Sequence, residues 1–164
     1  MKTFELFIDG ACQGNPGEAG VGVVILEGQR VVKKISEAIG IGTNNTAEYQ
    51  ALIRGLEESL VLEAKKVKVN TDSELLHHQL VGQYKIRNQN LQALFSQVKH
   101  LSQKFEAVEI RHIPREKNKD ADFLATQSIK DKQAKVTALS ENKEPREDFM
   151  PLFARGEESP GSEG

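Results

Sequence analysis

The sequence predicts an α/β domain, with helices flanking one five-stranded mixed sheet in the order βββαβααβα. Three observations carry this prediction. An alternating run opens the chain, placing Phe4, Leu6 and Ile8 on one face at period two. Two further strand-like runs follow, joined only by Gly28-Gln29, so they pair as an antiparallel hairpin. Beyond Gly42, short runs rich in valine alternate with stretches whose apolar residues recur at helical spacing.

The first strand reaches Asp9 and meets a turn-forming stretch, Gly10-Ala11-Cys12-Gln13-Gly14-Asn15-Pro16-Gly17. Residues 19–27 form a second strand, with Val21, Val23 and Ile25 alternating, and residues 30–39 a third. The break at 40–45 offers Thr43, Asn44 and Asn45 as N-caps for a helix that ends near Leu62. Its apolar face is Ala47, Ala51, Leu52, Leu56, Leu60 and Leu62, with Glu48 close to its start. Residues 66–71 form a strand that stops at Asp72, and Ser73 caps a helix bearing Leu75, Leu76 and Leu80. Gly82 ends that helix, and Asn88 caps the next, where Leu91, Leu94, Phe95, Val98 and Leu101 line one face. Residues 107–113 are the fifth strand, closed by Pro114, and a last helix covers 118 to about 130 through Ala121, Leu124, Ala125 and Ile129.

From Asp131 the composition turns to Glu, Lys, Ser, Pro and Gly, so residues 131–164 read as a polar, flexible tail behind a domain of residues 1–130. Within that tail Phe149-Met150-Pro151-Leu152-Phe153 is apolar. It reads as a cluster resting on the domain or as a linear peptide for a partner groove. At 164 residues the chain can bury a core without disulfides, and its single cysteine, Cys12, excludes an internal disulfide framework. The net charge of −2 argues against bulk electrostatic capture of nucleic acid, while leaving room for local basic patches. No apolar run approaches a membrane span, and the start at Met1-Lys2-Thr3 shows no apolar or arginine-rich leader. A soluble, cytoplasmic monomer is the expectation.

Four acids stand out by position. Asp9 and Asp72 follow the first and fourth strands, which a helical crossover allows to be parallel neighbours at the sheet centre. Glu48 and Asp122 lie near the starts of two helices that can reach the same sheet edge. Taken singly, each has a plain alternative: Asp9 closing the turn, Asp72 opening a helix, Glu48 answering a cap, Asp122 a solvated charge. Together they would repel and raise one another's pKa values unless cations balanced them. An all-oxygen set suits Mg²⁺ or Mn²⁺, and two such ions can serve phosphodiester cleavage.

With these residues in view, the chain resembles type 1 ribonuclease H over about residues 3–130. The resemblance rests on four stretches in order: residues 8–17, Thr43-Asn44-Asn45-Thr46-Ala47-Glu48, Asn70-Thr71-Asp72-Ser73, and Asn118-Lys119-Asp120-Ala121-Asp122-Phe123-Leu124-Ala125. It implies a ribonuclease H-like fold and a metal-dependent endonuclease that cuts the RNA strand of RNA–DNA hybrids, in primer and R-loop removal. Double-stranded RNA is a further substrate of some relatives. Asp9, Glu48, Asp72 and Asp122 would be the catalytic, metal-holding carboxylates, with Asp9 shared between two ions once substrate is bound. Glu48 would also accept from a ribose 2′-hydroxyl, the group that separates RNA from DNA. Gly10, Cys12, Asn15, Asn44 and Asn45 would meet the RNA strand, and Thr43 and Asn88 a phosphate of the DNA strand.

Two departures from the family pattern matter. Many members carry a loop histidine before the last helix; His112 has a suitable count back from Asp122, but the Ile113-Pro114 after it points to the fifth strand. Arg115 or Lys117 would then take the role, and Arg115 is favoured over His112, its help electrostatic since arginine holds its proton. The basic, tryptophan-rich protrusion after the second helix is also missing, leaving Lys85 and Arg87 in a short connection. The main alternative to an enzyme is a hybrid-binding module without activity, whose mark would be a missing acid.

Overall fold

The computed structural model describes residues 2–143. It contains β1 (Thr3–Gly14), β2 (Gly17–Glu27), β3 (Arg30–Gly42), α1 (Asn44–Val61), β4 (Lys66–Thr71), α2 (Glu74–Leu80), α3 (Gln89–Ser102), β5 (Ala107–His112) and α4 (Lys119–Lys143). A single 3₁₀ turn, Arg115–Lys117, precedes α4. Contacts divide the chain into Met1–Ile129 and Lys130–Gly164, and the sheet and site belong to the first unit.

The strands lie in the order β3-β2-β1-β4-β5. β1 pairs antiparallel with β2 and parallel with β4, which pairs parallel with β5. Parallel strands need a crossover, and α1 supplies the one between β3 and β4. Phe4, Leu6 and Ile8 are essentially inaccessible and pack with Val21, Val23, Ile25, Val67 and Val69 against Ala51, Leu52 and Leu56 of α1. Thr43 caps α1 by accepting from the Thr46 amide, and Thr46 Oγ1 returns a bond to the Thr43 amide. Ser73 and Asn88 cap α2 and α3 in the same manner, each accepting from the amide three residues on.

Three boundaries differ from the sequence expectation. β1 does not stop at Asp9: its glycine-rich half pairs with β2 down to Gly14↔Gly17, so the turn is confined to Asn15-Pro16. β3 likewise continues through Gly40 to Gly42, with a register shift between Ala19 and Gly20 and Gly40 at φ 83. Ladder pairing uses backbone groups alone, so apolar alternation could not reveal these extensions. The last helix runs to Lys143 instead of ending near Lys130, so the first part of the expected flexible tail is helical. That stretch contains neither Gly nor Pro and is rich in helix-favouring Lys, Gln, Ala and Leu. The Phe149–Phe153 cluster lies outside the described residues. Among the described residues, no helix is long and apolar enough to cross a membrane.

Candidate active site

The parallel pairing of β1 with β4 ends at Ile8↔Thr71, so Asp9 and Asp72 are the next residues at the same edge. Asp9 remains in β1, opposite Gly22 of β2. Two glycines beside it then admit two helices. A Cβ on Gly10 would lie 2.4 Å from the Ala47 carbonyl carbon, so only glycine lets the start of α1 settle there. The next residue, Glu48, accepts a 3.0 Å hydrogen bond from the Gly10 amide through Oε1. A Cβ on Gly22 would lie 2.1 Å from the Ala121 carbonyl oxygen, so α4 closes on the sheet directly before Asp122.

One carboxylate oxygen each from Asp9, Glu48 and Asp72 falls within 4.8 Å of the others. Asp122 is exposed, and its carboxylate also bears on Asp9. The four acids expected from the sequence therefore meet, as a trio with a fourth on its solvent side. Burial pushes the Asp9 carboxyl up to about 9, and the charges of Glu48 and Asp72 and the Asp122 contact push the same way. Glu48 is pushed up to about 8 by burial and then by Asp72, while the Gly10 amide and the Arg115 guanidinium pull it back. Crowded carboxylates with all-oxygen donors and no His or Cys among them suit a hard divalent cation, whose charge removes the repulsion.

Asn118 was read from the sequence only as the start of the last helix. It is 1% exposed, and its Nδ2 donates to the Ile8 carbonyl at 2.8 Å and to Asp72 Oδ2 at 3.1 Å. Its Oδ1 has no partner. Its place in the fourth motif was the available signal.

The remaining predicted residues lie around the cluster. Arg115, in the 3₁₀ turn, acts on Glu48 through its charge. His112 ends β5, opposite Thr71, with its ring 5.9 Å from that of His77. Because Thr43 serves as the α1 cap, Asn44 and Asn45 are left exposed in its first turn, and Asn15 Oδ1 accepts from the Asn44 amide at 3.1 Å. Cys12 Sγ lies 3.2 Å from the Gly42 carbonyl oxygen. Thr43 lines a cleft of about 530 Å³ with Pro16, Ile41, Thr46, Asn90 and Leu94, and Asn88 caps the adjoining helix. Lys85 and Arg87 are exposed in the connection between α2 and α3, which holds no helix.

A profile of the family described as reverse transcriptase-like matches residues 7–128. The chain is 37% identical over 123 residues to a bifunctional protein of Mycobacterium tuberculosis, covering 74% of this chain and 34% of that protein. It is 36% identical over 126 residues to ribonuclease HI of Halobacterium salinarum, covering 76% and 63% respectively. The chain thus spans about a third of the mycobacterial relative and under two thirds of the halobacterial one. Among solved structures, RNase H1 of H. salinarum aligns with a TM-score of 0.77 at 35% identity, over 79% of this chain and 98% of that one. LC11-RNase H1 in complex with an RNA/DNA hybrid aligns with a TM-score of 0.76 at 37% identity, over 79% and 99%.

Proposed function

We propose that this chain, which belongs to the type 1 ribonuclease H family, is an endonuclease that hydrolyses the RNA strand of RNA–DNA hybrids. The convergence of Asp9, Glu48 and Asp72 within 4.8 Å at one sheet edge, with the Asp122 charge acting on Asp9, carries this reading. These four carboxylates would hold two Mg²⁺ or Mn²⁺ ions with substrate present. Bound there, the ions supply charge that activates water and stabilises the departing 3′ oxygen. Asp9, the buried member of the group, would be among the residues that hold them.

The chain's own groups supply recognition. Glu48 accepts from the ribose 2′-hydroxyl, which selects RNA at the cleaved position. Asn44 and Asn45 offer exposed amides that donate and accept along the minor groove, beside Gly10, Cys12 and Asn15. Thr43 and Asn88 lie at the starts of α1 and α3 and position a phosphate of the DNA strand. Arg115 steadies developing negative charge without exchanging its proton. The hybrid-bound relative supports this substrate class. The test is a hybrid labelled on either strand. RNA fragments with an intact DNA strand, dependent on Mg²⁺ or Mn²⁺ and abolished by EDTA, are expected. Cleavage of the DNA strand, or no cleavage with either ion, would overturn the reading.

A further inference from the structure

We infer that Asn118 is a positioning residue of the acid cluster: its amide fixes the Asp72 carboxylate against β1 and keeps one oxygen open to the hydrated cation. This rests on the proposed metal-dependent reading and adds a residue to it.

The geometry is specific. Both Nδ2 hydrogens are used, on the Ile8 carbonyl at 2.8 Å and on Asp72 Oδ2 at 3.1 Å. Each of those partners only accepts, so the reversed amide would set Oδ1 against two acceptors, and the orientation is fixed by chemistry. The backbone of Asn118 is engaged as well. Its carbonyl accepts from the Asp122 amide at 3.1 Å, and its amide donates to the Arg115 carbonyl at 2.9 Å. One buried residue therefore links the strand position before Asp9, the Asp72 carboxylate, the turn bearing Asp122 and the turn bearing Arg115.

Helix capping does not explain the side chain. A capping asparagine turns its oxygen to an amide in the first turn. Here Oδ1 is buried without a partner, and the nitrogen faces the acids. A buried acceptor left open is costly, and a purely local capping role does not account for that cost. Groups that orient metal ligands typically change metal affinity or activity by about ten- to a hundredfold when removed.

The test compares wild type with Asn118→Ala and Asn118→Asp, the second keeping the shape while replacing the donor by an acceptor. Calorimetry should show Mg²⁺ affinity about ten- to a hundredfold weaker in both, and kcat at fixed Mg²⁺ should fall similarly. KM for the hybrid should stay within about twofold, since Asn118 touches no proposed substrate contact. A variant that melts lower but binds Mg²⁺ like wild type would overturn the inference, leaving a purely structural residue. Wild-type protein gives a reading that needs no variant. On titration with Mg²⁺, the Asn118 side-chain amide resonance should move with the midpoint of the Asp9 carboxyl, while that of Asn70 stays still. Movement at Asp9 with Asn118 stationary overturns this inference alone. No movement at Asp9 overturns the functional reading and this inference with it.

Discussion

Replacing Gly10 by alanine puts the helix-on-sheet delivery of Glu48 to a direct test. The added methyl would sit 2.4 Å from the Ala47 carbonyl carbon, 2.5 Å from the Glu48 nitrogen and 2.7 Å from the Ala47 oxygen. All three are backbone atoms, so no side chain can swing aside. Restoring ordinary contact requires the start of α1 to retreat by about 1 Å. That shift lengthens the 3.0 Å bond from the Gly10 amide to Glu48 and moves Glu48 away from Asp9 and Asp72. Overpacking of this kind costs about 1–3 kcal/mol, which for a chain of this size lowers Tm by roughly 2–10 °C. A displacement of about 1 Å at a reacting centre costs on the order of a hundredfold in rate. The assay is kcat/KM on a labelled hybrid with Mg²⁺, alongside Tm in EDTA. Activity within about threefold of wild type together with an unchanged Tm would refute the reasoning.

Other outcomes follow from the same structure. In the unfolded chain Asp9 and Glu48 release their protons near 3.8 and 4.5, whereas in the folded chain they keep them to about 9 and about 8. The folded state then binds more protons between those values, so metal-free stability falls as pH rises from about 5 to 9. Melting in EDTA should show Tm declining over this range and Mg²⁺ restoring it most at the alkaline end. A flat or rising Tm in EDTA would contradict the shifts. Replacing both Lys85 and Arg87 with alanine should weaken hybrid binding and reduce its dependence on salt, each lost phosphate contact lowering the slope of log K against log salt by roughly 0.9. An unchanged salt titration would show that these exposed cations do not meet the substrate.

Much of the architecture was legible because side-chain period reports burial. Phe4, Leu6 and Ile8 announced β1, and the spacing of Leu52 and Leu56 announced α1. The ends of β1 and β3 were hidden because Gly10, Gly14, Gly40 and Gly42 carry no side chain to alternate, although their backbones pair. Gly10 and Gly22 were visible as glycines, but only the packing of Ala47 and Ala121 on them explains their need. The four acids could be singled out because two close the apolar-alternating runs and two lie near the starts of helices. That three share a 4.8 Å cluster while Asp122 joins from the solvent side depends on how far α4 stands from the sheet. Asn118 escaped notice because an asparagine at a helix start has a sufficient local explanation. Its bond to Asp72 spans 46 positions of sequence.

The most direct measurement is cleavage of a 5′-labelled RNA strand in an RNA–DNA hybrid by wild type and Asp9→Asn, side by side in Mg²⁺. Asn keeps the shape of Asp9 but cannot give up a proton to hold a cation, so folding should persist and cleavage should be lost. RNA fragments from wild type and none from a folded Asp9→Asn protein are the expected pair. Equal cleavage by both proteins would contradict the assignment of this acid cluster as the active site.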